Sequence, residues 1–199
     1  VITKKVSPET NNKVVIVKTD LTGKEETFVS EELSLCHGND ITYNEKTREL
    51  IVCTMKPKPD EGELAFFDPV SLELKRTQLP EVYINNIAYN AKRDCYVVGY
   101  QTKEEGDGTY RQFGIMDSNF KRIKGPFKPN EDTWSLVGQG VACDDEYIYM
   151  ILSENKAISK NPVIAVYDWE GQFVKMIYLT LPSNADARIE AENISVVGN

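Results

Sequence analysis

Residues 84–127 hold four apolar stretches in succession: INNIAYN (84–90), DCYVVGYQ (94–101), QFGIMD (112–117) and FKRIKGPF (120–127). Val, Ile, Tyr and Phe favour strands, and polar or turn residues bound each stretch. Asn90-Ala91-Lys92 suits a tight turn, because an asparagine side chain bonds nearby backbone and tolerates left-handed geometry. A longer polar segment follows the second stretch, and Asp117 ends the third just before a hairpin into the fourth. The stretch therefore predicts four antiparallel strands, A to D.

The same unit recurs along the chain. Strand C ends on aspartate in VVIVKTD (Asp20), ELAFFD (Asp68), QFGIMD (Asp117) and VIAVYD (Asp168), at spacings of 48, 49 and 51 residues. Strand A opens on a polar pair in HGNDITYN (Asn39-Asp40), INNIAYN (Asn85-Asn86), GQGVACD (Gln139-Gly140) and AENISVV (Glu192-Asn193), at spacings of 46, 54 and 53 residues. A repeat of about fifty residues built from four short strands is the unit of a β-propeller blade. Parallel solenoids, with one or two strands per coil, fit less well. The expected fold is all-β: one β-propeller domain over residues 1–199, with four blade periods near 1–30 plus 186–199, 36–80, 82–126 and 136–181. The first period joins strands C and D from the N-terminal end to strand A from AENISVV, with VITKKV (1–6) as a strand B. The ring closes at four blades or forms part of a larger one. NADARIEA (184–191) is expected to make at most one helical turn.

Composition limits the function. The net charge is −8 and the pI about 4.9. Such a surface repels phosphate backbones and anionic lipid, which excludes nucleic acid as the expected partner. No run of about eighteen apolar residues exists to span a membrane as a helix. The chain opens on Val1, as expected of a processed or trimmed product, so the lack of a signal peptide does not bear on secretion. Cys36, Cys53, Cys95 and Cys143 form no Cys-x-x-Cys pair, against a zinc or thioredoxin-like site, and are expected to be free.

In a propeller, strand A is innermost. Asn39, Asn85, Gln139 and Glu192 are thus expected at one level of a central channel, with Asp40, Asn86, Gly140 and Asn193 one step on. Successive strand residues face opposite sides, so one ring should point inward unless a bulge intervenes. Three readings fit this inventory of oxygen donors: ordered water, a hard cation such as calcium, or a small organic ligand. His37, the single histidine, stands at the channel mouth. The loop at 125–135 brings Phe127, Pro129 and Trp134, an apolar rim able to meet a sugar ring or a peptide or alternatively packing between blades. The acidic loop KEEGDGTY (103–110) lacks the full calcium-loop pattern and reads as a surface turn. Asp20, Asp68, Asp117 and Asp168 read as turn caps, too far apart to act together. Asn193-Ile194-Ser195 matches a glycosylation acceptor but lies in a strand expected to be inaccessible.

INNIAYN followed by CYVVGY is similar to the inner strand pair of six-bladed gluconolactonase-like and five-bladed glutaminyl-cyclase-like propellers. Glu190-Ala191-Glu192-Asn193-Ile194 resembles their closing strand. In the gluconolactonase-like group the resemblance implies a divalent metal held by Glu192, Asn85 and Asn39, with Asp40 as base. Asn86 departs from the glycine usual after the asparagine, and the period count falls short of six. The function expected is a binding or recognition module of extracellular or cell-surface kind, engaging a small molecule, glycan, peptide or protein through channel-mouth loops around His37, Phe127 and Trp134. The alternatives are a calcium-type, metal-dependent hydrolase or lactonase, and a purely structural module.

Overall fold

A computed structural model describes residues 13–20, 22, 25–36, 38–54, 62–101, 112–133, 136–154, 162–180, 191 and 193–197. The chain divides into two compact units, Val1–Asn85 and Asn86–Asn199. Among the described residues the structure is β-sheet apart from one short 3₁₀ turn, Glu131–Thr133. No helix among them is long and apolar enough to cross a membrane.

The first unit holds a two-stranded sheet of β1 (Val17–Thr19) and β2 (Glu26–Val29), extended by a single bridge between Val14 and Leu33. Beside it is a four-stranded antiparallel sheet of β3 (Asp40–Asn44), β4 (Glu49–Cys53), β5 (Leu64–Phe67) and β6 (Leu74–Gln78), paired in chain order. Val14, Ile16 and Leu35 pack with Val52, Ala65, Phe67 and Leu72 to fill the space between the two sheets.

The second unit holds two more sheets of this kind. One is β7 (Tyr83–Asn90), whose first residues belong to the preceding unit, with β8 (Cys95–Gln101), β9 (Gln112–Met116) and β10 (Arg122–Phe127). The other is β11 (Leu136–Cys143), β12 (Tyr147–Glu154), β13 (Val163–Asp168) and β14 (Phe173–Tyr178). The core between them joins Val97, Phe113 and Ile115 to Ile148, Met150, Leu152, Ala165 and Tyr167. Burying each such side chain contributes about 1.5–3 kcal/mol.

Burial follows strand order. The third strands of two sheets, LAFF and QFGIM, are buried at every residue. The fourth strands, LKRTQ, RIKGPF and FVKMIY, are largely exposed. In the sheet of the first unit, Glu49 on β4 is held by Lys75 at 3.1 Å and Arg76 at 3.2 Å on β6. Burial acts to raise the Glu49 carboxyl, but these two cations win and hold it below its ordinary value. Arg76 also lies over the Phe66 ring, 3.4 Å from its centre.

The repeated aspartates cap the hairpins. Asp68 Oδ1 accepts the N–H groups of Val70 (2.8 Å) and Ser71 (2.9 Å). Asp117 Oδ1 accepts those of Asn119 and Lys121, each at 2.9 Å. Asp168 Oδ1 accepts those of Glu170 (3.0 Å) and Gln172 (2.8 Å). Asp20 takes the Thr22 hydroxyl at 2.7 Å. Asn44, Asn90 and Asp144 play the matching part in the turns between first and second strands.

Two expectations are corrected. AENISVV is not part of a strand at its described residues, 191 and 193–197, and Ser195, Val196 and Val197 are exposed. The 125–135 loop starts later than its glycine and proline signals imply, because β10 runs through Gly125 and Pro126 to Phe127. VITKKV, the 103–110 loop and most of NADARIEA lie outside the described residues.

Candidate functional site

Five non-glycine residues among those described take positive φ: Cys36, Arg48, Leu72, Asp94 and Phe120. Four have a repeat-based reason. Arg48 and Asp94 occupy equivalent turns between first and second strands, and Leu72 and Phe120 close the hairpins after Asp68 and Asp117. Cys36, at φ 55°, belongs to no repeated hairpin. A left-handed conformation costs such a residue about 1–2 kcal/mol, and it persists where the surroundings impose it. Gly38, at φ 46°, shares this loop, which leads directly into β3.

The loop brings several groups together within the first unit. Asn39 N–H bonds the Cys53 carbonyl at 2.8 Å, so the β3–β4 ladder extends one residue past β3. Asn39 Nδ2 donates to the main-chain oxygen of Asn85 at 2.8 Å. Asp40 pairs with Cys53 across the sheet and is 3% exposed, and its Oδ1 accepts the Ile41 N–H at 2.7 Å. Tyr83 is buried two residues before Asn85, so their side chains share a face of the strand. Asn85 Oδ1 is buried and has no hydrogen-bond partner among the described residues.

Electrostatics mark these groups as neighbours. Burial pushes the Cys53 thiol well up, and the Asp40 charge adds to the effect. Burial likewise pushes Tyr83 to about 12, with Cys36 and Cys53 contributing. Near neutral pH the Cys53 thiol and the Tyr83 phenol are therefore neutral. Both have moved away from the range in which a group exchanges protons efficiently, so neither is tuned for acid–base work. The groups here are a buried carboxylate, a buried amide oxygen with no partner among the described residues, and two neutral donors. Among the described residues, no three His, Cys, Asp or Glu side chains come together to hold a metal.

In the second unit the inner amides act as clasps between sheets. Asn86 Nδ2 donates to the Gln139 main-chain oxygen at 2.9 Å, and Asn90 Nδ2 to that of Asp144 at 2.9 Å. The β11–β12 register shifts between Gly138 and Gly140. Gln139 sits in that irregularity, and its Nε2 donates to Ser153 Oγ of its own sheet at 2.8 Å. The register of the polar pairs is thus not uniform: Asn39 clasps from the first position of its pair and Asn86 from the second.

Of the residues proposed from sequence, Asn39, Asp40 and Asn85 come together in the first unit, while Gln139 turns toward Ser153 in the second. Phe127 lies in β10 and not in a loop. It ends the outer strand of its sheet, half-buried against the core, its ring 5.2 Å from that of Phe113 and against Gly171. His37, Trp134 and Glu192 lie outside the described residues. Sequence reading passed over Tyr83 and the strained Cys36. The one written signal was the density of Cys36, Gly38, Asn39 and Asp40 in a five-residue loop.

No protein-family model matches the chain, and no curated protein does. Solved structures do. Hydrazine synthase of Kuenenia stuttgartiensis aligns with a TM-score of 0.51 at 11% identity, over 87% of this chain and 45% of that one. A quinonprotein alcohol dehydrogenase-like protein of Bacteroides thetaiotaomicron aligns with a TM-score of 0.50 at 11% identity, over 90% and 42%. The Pan2 WD40 domain of Neurospora crassa gives 0.48 at 10%, over 83% and 46%. The chain spans less than half the length of each of these structures. At such identity the likeness speaks to fold alone. Together with the repeated four-stranded sheets, it shows a fold of the β-propeller type.

Proposed function

We propose that this chain is a binding module that holds a neutral, hydroxyl-rich ligand of the glycan class at the Cys36–Asp40 loop, with Tyr83 and Asn85. The observation that carries this reading is Asn85 Oδ1, a buried acceptor without a partner among the described residues. Such an atom costs about 1–3 kcal/mol until something donates to it. A ligand hydroxyl or N–H would recover that cost on binding, which makes the site selective for molecules that carry one. The strained Cys36 supports the same location.

A glycan panel screened by calorimetry tests it. Asn85→Leu removes the acceptor and keeps similar volume, so it should weaken the best binder tenfold or more while the melting temperature holds or rises. Retained affinity in Asn85→Leu would sink the reading. So would a panel without binders in which Asn85→Leu only stabilises, as expected if Oδ1 meets ordered water alone.

The buried Asp40 carboxylate favours a second reading, a calcium-type cation serving a hydrolase or lactonase. Asn85 Oδ1 and Asn39 Oδ1 are hard oxygen donors that suit such an ion, with Asp40 beside them as the base. When bound, it would polarise a carbonyl, while Asp40 held a proton at its carboxylate. Calcium at a hundred times its Kd should stabilise the chain by about 2.7 kcal/mol. No change in melting temperature at millimolar calcium would remove this reading.

A further inference from the structure

A strand at a sheet edge offers main-chain N–H and C=O groups to any further strand, and charges, prolines and bulges discourage that pairing. The fourth strands differ in how far they carry such devices. β6 has Lys75 and Arg76 and a register shift against β5. β10 has Arg122 and Lys124, two register shifts against β9, and Pro126, which has no N–H to offer. β14 has one charge, Lys175, and no proline. From Lys175 to Tyr178 it runs in regular register along β13. Its Val174, Ile177 and Tyr178 are exposed, Tyr178 at 74%.

One bond sets the main-chain directions. Leu179 N–H donates to the Pro162 carbonyl at 3.0 Å, so residue 179 turns its main-chain groups toward the β13 side. This direction alternates along an antiparallel ladder, so Ile177 and Lys175 turn the same way while Met176 and Tyr178 turn outward. β14 ends its sheet, and among the described residues no strand meets that outward side. An antiparallel neighbour has to match outward residues with outward residues. A second copy does so when Met176 of each strand lies opposite Tyr178 of the other, which is a two-fold arrangement. Ile177 then faces Ile177, and Lys175 faces Leu179. The two lysines lie four residues apart, about 14 Å along the strands, beyond the Debye length of about 8 Å. Setting Met176 opposite itself also matches outward groups, but brings the lysines within two residues, about 7 Å, so charge favours the first register. Residues 171–185 contain no acid, so two copies of net charge −8 meet along this edge without opposing carboxylates from it.

We propose that β14 is a dimerisation edge, which pairs antiparallel with β14 of a second copy of this chain about a two-fold axis at Ile177. The pairing joins two four-stranded sheets into one and covers Ile177 and Tyr178. A single strand pair buries less than the roughly 1,200–2,000 Å² of a standard interface, so the dimer is a weak and reversible one.

Sedimentation equilibrium of the full chain, up to millimolar concentration, should show a reversible monomer–dimer step. Ile177→Lys and Ile177→Glu each set like charges opposite one another, and each should weaken the dimer by roughly tenfold or more. An equimolar mixture of the two variants should restore it, because opposite charges then face across the axis. Ile177→Cys under mild oxidant should give a covalent dimer, since a non-hydrogen-bonded pair holds its Cα atoms about 4.5 Å apart, within reach of a disulfide. Val174→Cys, six residues from its own copy in this register, should not, and the parent chain serves as the blank for its own free cysteines. If a charged variant melts early, the cross-linking pair decides. A parent that stays monomeric throughout would overturn the proposal. So would charged variants that dimerise like the parent, a mixture of well-folded variants that stays monomeric, or equal cross-linking from positions 174 and 177.

Discussion

Asn39 donates its side-chain amide to the main-chain oxygen of Asn85 at 2.8 Å, and so fixes the residue whose own Oδ1 has no partner among the described residues. One asparagine thus acts as a positioning group for another. Asn39→Ala leaves the Asn85 carbonyl without its donor and should cost about 1–3 kcal/mol. Asn39→Asp, which has no N–H to offer, should cost at least as much. Urea denaturation of both variants checks this. Loss below a few tenths of a kcal/mol would show that water replaces the amide freely.

Asp68 is held below its ordinary value, chiefly by the N–H of Ser71 and then that of Val70. Its folded value is depressed, so its contribution is fully present above the unfolded value, about 3.9. It is lost as pH falls through the depressed folded value. Asp68→Ala should therefore flatten the acid limb of stability against pH and leave the slope near neutrality unchanged. An acid limb identical to the parent's would contradict the turn-cap assignment.

Gly171 sits at φ 80°, and a Cβ there would overlap the Phe127 ring. Gly171→Ala should destabilise the second unit by about 1–3 kcal/mol through overpacking and backbone strain together. Phe127→Leu in the same chain removes the clash but not the strain, so the double variant should recover part of the loss. Strict additivity of the two changes would show that ring and turn do not meet.

Trp169 is buried beneath the Arg93 guanidinium, 4.4 Å from the ring centre, and its Nε1 has no hydrogen-bond partner among the described residues. Trp169→Phe removes that unpaired N–H, a relief of about 1–3 kcal/mol, against some lost ring area. It should be close to neutral. Trp169→Ala should cost about 3–5 kcal/mol, because it empties the site. Thermal melts of the pair distinguish the two contributions. Equal losses would mean that the indole N–H is satisfied after all.

The amino-acid sequence by itself determined the repeat and what each strand does within it. The aspartates at Asp68, Asp117 and Asp168 mark their hairpins because the capping bonds span only two to four residues. Short-range geometry of that kind is written locally. The apolar character of the third strands was legible as well, each running up to its aspartate.

The tertiary structure alone decided which polar groups meet. The polar pairs look alike in sequence, yet a register shift turns Gln139 toward Ser153, while Asn39 reaches Asn85 across 46 residues. A one-residue change of register reverses which side chain faces which neighbour, and composition hardly records it. Phe127 passed for a loop residue because glycine and proline precede it, although Phe113 and Gly171 hold it in the core. Cys36 takes its left-handed backbone outside any repeated hairpin, where no local pattern announces it.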